Sequence, residues 1–405
     1  MHTPTFSVAP SFLGTAVTGA DVAVAGIPLD IGVTNRPGAR FAPLAIRHAS
    51  RMLTDGVNPA GWVDPSGLPF SDVGDFALAL GDIPESLRLI EEQAARHRHL
   101  VSLGGEHTVT LPLLRALTKR TGPVGLIHFD AHIDTWPDNF GQVFGHGSVF
   151  YHAIQEGLVD PRRMIQIGIR SPVQEEVWSW TVDRGVTILS AEDVHESSPA
   201  AVAARVRDVV GTGPVYLSFD IDALDPSQAP GTGTPETAGL FTWQAQGIIK
   251  RRGGLDFVGM DLGEVSPSYD VAEITSLAGA TLVWQYLCRL RAPSASTPLG
   301  GANPPARRTP PVPETPAFPP AVSSPEKPHG WTRNSLARPE NWRIYPRKTH
   351  SHVPMAHSKK GLRSWVMLRR SGVLFGLRST VDRSPKGRWT WLWNARGFPR
   401  TSEVD

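Results

Sequence analysis

His128-Phe129-Asp130-Ala131-His132-Ile133-Asp134 follows the apolar run 124–127, and ninety residues further on Ser218-Phe219-Asp220-Ile221-Asp222-Ala223-Leu224-Asp225 follows the apolar run 215–217 in the same way. The two segments hold five carboxylates and two histidines between them. A carboxylate at the end of a buried strand either finds a cation or takes up a proton, because an unpaired buried charge is strongly unfavourable. Both segments therefore read as strand ends that gather metal, and the chain as a metallohydrolase.

Around them, short runs rich in Val, Ile and Leu alternate with longer amphipathic stretches, as in a parallel sheet covered by helices on both faces. Strands are expected over residues 21–27, 99–103, 124–130, 164–169, 186–189, 215–220 and 257–261. Helices are expected over 43–53, 84–98, 108–119, 173–183, 200–210, 242–252 and 271–290. The fold class that follows is α/β, with three α/β/α layers and a central, mostly parallel sheet. Ligands of such sheets bind beyond the carboxyl ends of the strands. Gly104-Gly105-Glu106-His107, Asp130, Asp220 and Asp261-Leu262-Gly263-Glu264 each follow or end a strand, so four strand ends supply one rim.

Asp130, His132 and Asp134 stand at i, i+2 and i+4. On a straight strand the outer two would be ~13 Å apart at ~3.3 Å per residue, too far to share metals ~4 Å apart. The chain must turn directly after Asp130. Asp220 and Asp222 repeat the pattern, and Pro226 cannot continue a central strand. One aspartate after a strand is most often a cap or a turn residue; six donors at matching offsets are not explained that way. With His107 the set is four aspartates and two histidines, which suits manganese(II) better than a thiolate-bound zinc. Four carboxylates balance two divalent ions, and a bridging hydroxide leaves the cluster slightly negative. His128, inside its strand, is read as a packed histidine behind the ligands; His48, His97, His99, His152 and His195 receive no catalytic role.

These residues resemble the ureohydrolase family of arginases and agmatinases, most closely its agmatinase branch. The matching stretches are Arg36-Pro37-Gly38-Ala39-Arg40-Phe41-Ala42-Pro43, residues 104–110, 128–135, 145–148, 218–226 and 229–235, and Glu264-Val265-Ser266-Pro267. They cover roughly residues 20–290, and the tail beyond matches nothing in the family. The resemblance implies an arginase-like fold, two Mn2+ per subunit and a homo-oligomer, usually a trimer or hexamer. It implies that His107 and Asp134 bind one ion, that His132 and Asp222 bind the other, and that Asp130 and Asp220 bridge both. Two departures stand out: Glu106 replaces a common aspartate, and Gly263 replaces a larger apolar residue before Glu264.

A guanidinium carbon is a poor electrophile because its charge is delocalised, so the reaction needs a strong nucleophile. Two metals lower the pKa of a bridging water enough to give hydroxide near neutral pH. Glu264 would hold the guanidinium by paired charge-assisted hydrogen bonds. In the mechanism the resemblance implies, Asp134 returns a proton to the departing amine and His146 relays protons to solvent. Residues 141–148 and 168–172 lack the motifs by which arginase-like members grip an amino acid head. The expected activity is therefore agmatinase, giving putrescine and urea. The alternative is a guanidinobutyrase or another guanidino-acid ureohydrolase, in which Arg170 or Arg36 receives a carboxylate.

The near-neutral total of 40 Lys and Arg against 38 Asp and Glu conceals two unlike parts: residues 291–405 hold 20 basic against 6 acidic residues, leaving 20 against 32 for residues 1–290. Residues 1–290 are expected to form the catalytic domain. Residues 291–330, with twelve prolines between 293 and 328, are expected to be a disordered linker. Residues 331–405 form a basic tail with six of the twelve tryptophans and no clean period, read as poorly ordered. A non-enzyme alternative, an inactive scaffold whose basic arm binds nucleic acid, would be expected to have lost a ligand, and none is missing; nucleic acid is not the expected partner. The single cysteine, Cys288, suits a reducing compartment. No secretory signal or bilayer-spanning run is visible, so the expectation is a cytoplasmic protein acting on a small guanidino substrate, without a membrane.

Overall fold

Eight strands carry the larger part of the chain: β1 (Val22–Gly26), β2 (Phe70–Asp75), β3 (His99–Leu103), β4 (Val124–Phe129), β5 (Val159–Ile169), β6 (Thr187–Ser190), β7 (Pro214–Asp220) and β8 (Asp256–Gly263). They form one sheet in the order β2-β1-β3-β8-β7-β4-β5-β6, with every neighbouring pair parallel. This computed structural model describes residues 10–55, 57–58, 70–251, 253–291, 363–370, 373–383 and 389–396.

The helices are α1 (Ala42–Ser50), α2 (Ile83–Ala94), α3 (Thr110–Thr121), α4 (Val149–Gln155), α5 (Glu175–Asp183), α6 (Ala191–His195), α7 (Pro199–Val210), α8 (Thr242–Lys250) and α9 (Ile274–Arg291). Strand side chains alternate between two faces, and the core divides accordingly. Val215, Leu217 and Phe219 of β7 pack in the cluster that holds α1, α7, α8 and α9, while Tyr216 joins the cluster of α2, α3 and α4. Burial on both faces is why these strands read as continuous apolar runs. Local signals set the helix ends: in α7 the Ser198 hydroxyl accepts the Ala201 amide at 3.2 Å, Pro199 follows, and Gly211 stops the helix at φ 61°.

The expected α/β/α architecture is the one found. Within residues 10–291, β2, α4 and α6 were absent from the sequence expectation. β2 is an edge strand of which only Phe70 and Ser71 are buried, so its polar residues give no strand signal. Its hold on the fold comes from outside: buried Arg47 of α1 donates to Asp72 at 2.8 and 2.9 Å and pairs with Asp75. α4 and α6 span seven and five residues, too short for a helical period to show.

By contact the chain divides into two units, Met1–Thr309 and Pro310–Asp405. In the second, β9 (Arg363–Arg370), β10 (Val373–Arg383) and β11 (Trp389–Arg396) form an antiparallel sheet with β10 in the middle. Regular structure was not expected there; the aromatic and β-branched residues suit strands, but interspersed arginines hide the period. Apart from Arg291, which ends α9, the stretch expected as a disordered linker lies outside the described residues.

Candidate metal centre

β3, β8, β7 and β4 are consecutive in the middle of the sheet, and their carboxyl ends deliver His107, Glu264, Asp220 and Asp130 to one rim. After β3 the chain passes through Gly104 and Gly105, at φ 73° and 84°; a Cβ on Gly105 would lie 2.4 Å from the Ile27 carbonyl oxygen. Only glycine fits there. The buried Glu106 carboxylate accepts the Gly32 amide with both oxygens, at 3.0 and 2.7 Å, and burial, with Glu264 nearby, pushes its pKa up to about 8.

The turn demanded after Asp130 is present, and both aspartate motifs make it alike. Asp130 Oδ1 accepts the His132 amide at 2.5 Å and Asp220 Oδ1 accepts the Asp222 amide at 2.8 Å. Asp222 Oδ1 accepts the Ala131 amide at 3.0 Å, tying one motif to the other. Asp134 and Glu264 both take left-handed backbone conformations, at φ 50° and 61°, which are uncommon for residues with a Cβ and cluster at functional sites.

All six expected donors are brought together. His107 Nδ1 lies 2.9 Å from Asp134 Oδ2, 3.1 Å from Asp130 Oδ2 and 3.4 Å from Asp220 Oδ2. His132 Nδ1 lies 3.1 Å from Asp222 Oδ2 and 3.3 Å from Asp130 Oδ1. Asp130 faces both histidines, one with each oxygen. His107 Nδ1 is buried among these carboxylate oxygens, while Nε2 of the same ring meets Ser218 Oγ at 2.7 Å. Three carboxylate oxygens around one buried ring nitrogen call for positive charge, supplied by the protonated ring or by a divalent cation, and this set of oxygens with imidazole suits a divalent ion.

His128 could also reach the metal group of His107, Asp130 and Asp134, but its ring is engaged elsewhere. Gln166 Nε2 donates to its Nδ1 at 3.1 Å, which leaves Nε2–H to donate to Asp130 Oδ2 at 2.8 Å. In this arrangement it orients Asp130.

The electrostatics point the same way. Burial opposes charge on His132, yet Asp222 and Asp130 lift it to about 12; His107 is likewise held well above its ordinary range. Burial and the neighbouring acids push Asp220 well up. The cluster binds protons tightly, and cations that enter it must displace them.

Glu264 Oε1 accepts the His107 amide at 2.8 Å and faces His146 Nδ1 at 3.0 Å. A Cβ on Gly233 would lie 3.5 Å from Oε2, so the glycine keeps the space before that oxygen open. His146 Nε2 meets Thr34 Oγ1 at 2.8 Å and the Thr34 amide at 3.1 Å. Burial disfavours charge on His146, but Glu264, Asp134 and Glu106 raise it to about 9. Thr34 offers both an acceptor and a donor and is exposed, so it accommodates either state of the ring and leads outward. At Gly263, the second departure, an added Cβ would meet only ordinary contacts of 3.7 Å or more.

Arg170, one of two suggested carboxylate receivers, is already engaged: its guanidinium is shared among the carbonyls of Thr237, Gly168, Ala223, Asp222, Leu224 and Glu236. Arg36 lies 5.1 Å from the Tyr269 ring centroid. Ser218 and Asp261, quoted in the motifs without a role, stand directly behind His107. Gln166 and Thr34 carried no sequence signal.

Residues 20–288 match the arginase family. The guanidinobutyrase of Pseudomonas aeruginosa is 45% identical over 275 residues, 67% of this chain and 86% of that protein. The agmatinase of Chromobacterium violaceum is 45% identical over 284 residues, 67% of this chain and 84% of that protein. Among solved structures, a hypothetical agmatinase from Burkholderia thailandensis superposes with a TM-score of 0.67 at 39% identity, covering 71% of this chain and 92% of the other.

Proposed function

The chain belongs to the arginase family, and from that premise we propose that it hydrolyses agmatine to putrescine and urea, with two Mn2+ per subunit. His107 and Asp134 would hold one ion, His132 and Asp222 the other, and Asp130 and Asp220 would lie between them. The observation that carries this reading is the convergence of the buried Nδ1 of His107 with three carboxylate oxygens, and of His132 Nδ1 with two more. Bound divalent ions supply a hydroxide near neutral pH by acidifying a shared water.

The remaining work falls to the chain. Glu264, with Oε1 fixed by His107 and His146, offers Oε2 to the substrate guanidinium across the space that Gly233 leaves open. Asp134 would pass to the departing amine the proton that the attacking water gives up. His146 exchanges protons with solvent through Thr34. The proposed working form is a homo-oligomer, a trimer or hexamer, in the cytoplasm.

Agmatine is favoured over guanidino acids because Arg170 is consumed by backbone carbonyls. One observation favours the second reading, a guanidino-acid hydrolase: Arg36 makes no ion pair among the described residues and lies over Tyr269 near the Gly233 side of the site. Urea release from agmatine, 4-guanidinobutyrate and arginine by the manganese-loaded protein separates the readings. Agmatine should give the highest kcat/KM; a better rate with 4-guanidinobutyrate would replace agmatine by the acid.

A further inference from the structure

Behind His107, on the side away from the aspartates, three buried groups stand in line. His107 Nε2 is 2.7 Å from Ser218 Oγ, and the Ser218 hydroxyl donates to Asp261 Oδ1 at 2.7 Å. None of the three residues is exposed. Ser218 and Asp261 are register partners across β7 and β8, so the sheet itself fixes their spacing.

The direction of this line follows from hydrogen-bond chemistry. A carboxylate only accepts, so it claims the hydroxyl proton of Ser218. The lone pairs left on Oγ can only receive a proton from His107 Nε2. With a proton committed to Nε2, the proton that leaves when a cation enters must come from Nδ1, the nitrogen facing Asp134, Asp130 and Asp220. A neutral imidazole has two tautomers, and only the one with Nε2–H can present Nδ1 to the aspartates.

We propose that Asp261 is a positioning residue which, through Ser218, holds the proton on His107 Nε2 and so keeps Nδ1 as the donor to the ion on the Asp134 side. The proposal rests on the reading of His107 as a metal ligand. Its reach is local: His132 and Asp222, the donors on the other side, lie outside the line. Loss of the relay should therefore affect one ion and spare the other.

The test is manganese titration of the metal-stripped full chain by calorimetry, comparing wild type with Ser218→Ala, Asp261→Asn and the double variant. Wild type should bind two ions. Each single variant should keep one ion at wild-type affinity and bind the other about 10- to 100-fold more weakly, the range typical of groups that orient a ligating histidine. The double variant should be no worse than the weaker single variant, because both act through one line. Wild type that binds two ions beside variants that bind both within twofold, or losses that simply add, would overturn the relay alone; wild type that binds no manganese would overturn the metal centre with it. Zinc-loaded wild type gives a second readout: the Nε2–H of His107, identified by its through-bond coupling to the labelled imidazole nitrogen, should be an exchange-protected proton by nuclear magnetic resonance, and its absence would also overturn the relay.

Discussion

The six donors are held by side chains with distinct partners, and these partners separate ligand from support. Asp130 accepts from His128 and from the His132 amide, so its two oxygens are aimed before any ion enters. His146 is paired with Glu264 and raised further by Asp134 and Glu106. Its folded pKa of about 9 lies above the ordinary 6.5, so its contribution to stability is complete below pH 6.5 and is lost as pH rises through 9. In metal-stripped protein, His146→Asn should cost up to about 3 kcal/mol more in urea unfolding at pH 6 than at pH 10; a cost independent of pH would contradict the pairing with Glu264. At this scale the aspartate offsets were legible in the sequence because each motif is local. The Ser218–Asp261 pair was not, since its members are 43 residues apart and meet only through strand register.

At the scale of elements, the strands that carry donors were legible because burial on both faces makes them uniformly apolar. β2 was not, because its place depends on Arg47, which belongs to another element. Arg47 is nearly buried, and burial disfavours its charge, but Asp72 and Asp75 outweigh this and raise its pKa. Arg47→Ala leaves the buried Asp72 carboxylate without its cation, and breaking such a pair costs about 3–5 kcal/mol. Denaturant unfolding should show a loss of that size, with manganese stoichiometry of the folded protein unchanged because β2 contributes no donor. A loss below about 1 kcal/mol would mean that β2 is held by other means.

Across the whole molecule, the family match ends at residue 288 and α9 ends at Arg291, where the acidic part of the chain gives way to the basic one. All donors, and the lines of hydrogen bonds behind them, lie before that point. A chain ending at Arg291 should therefore match the full chain in oligomer size by size-exclusion chromatography and in urea release; a change in either would assign a role to the tail. The account as a whole depends on two cations lying between His107 and His132. Anomalous X-ray scattering from manganese-soaked crystals measures this directly. It should give two peaks about 4 Å apart, one beside His107 and Asp134, the other beside His132 and Asp222, with Asp130 and Asp220 touching both. A single peak, or peaks away from these side chains, would contradict it.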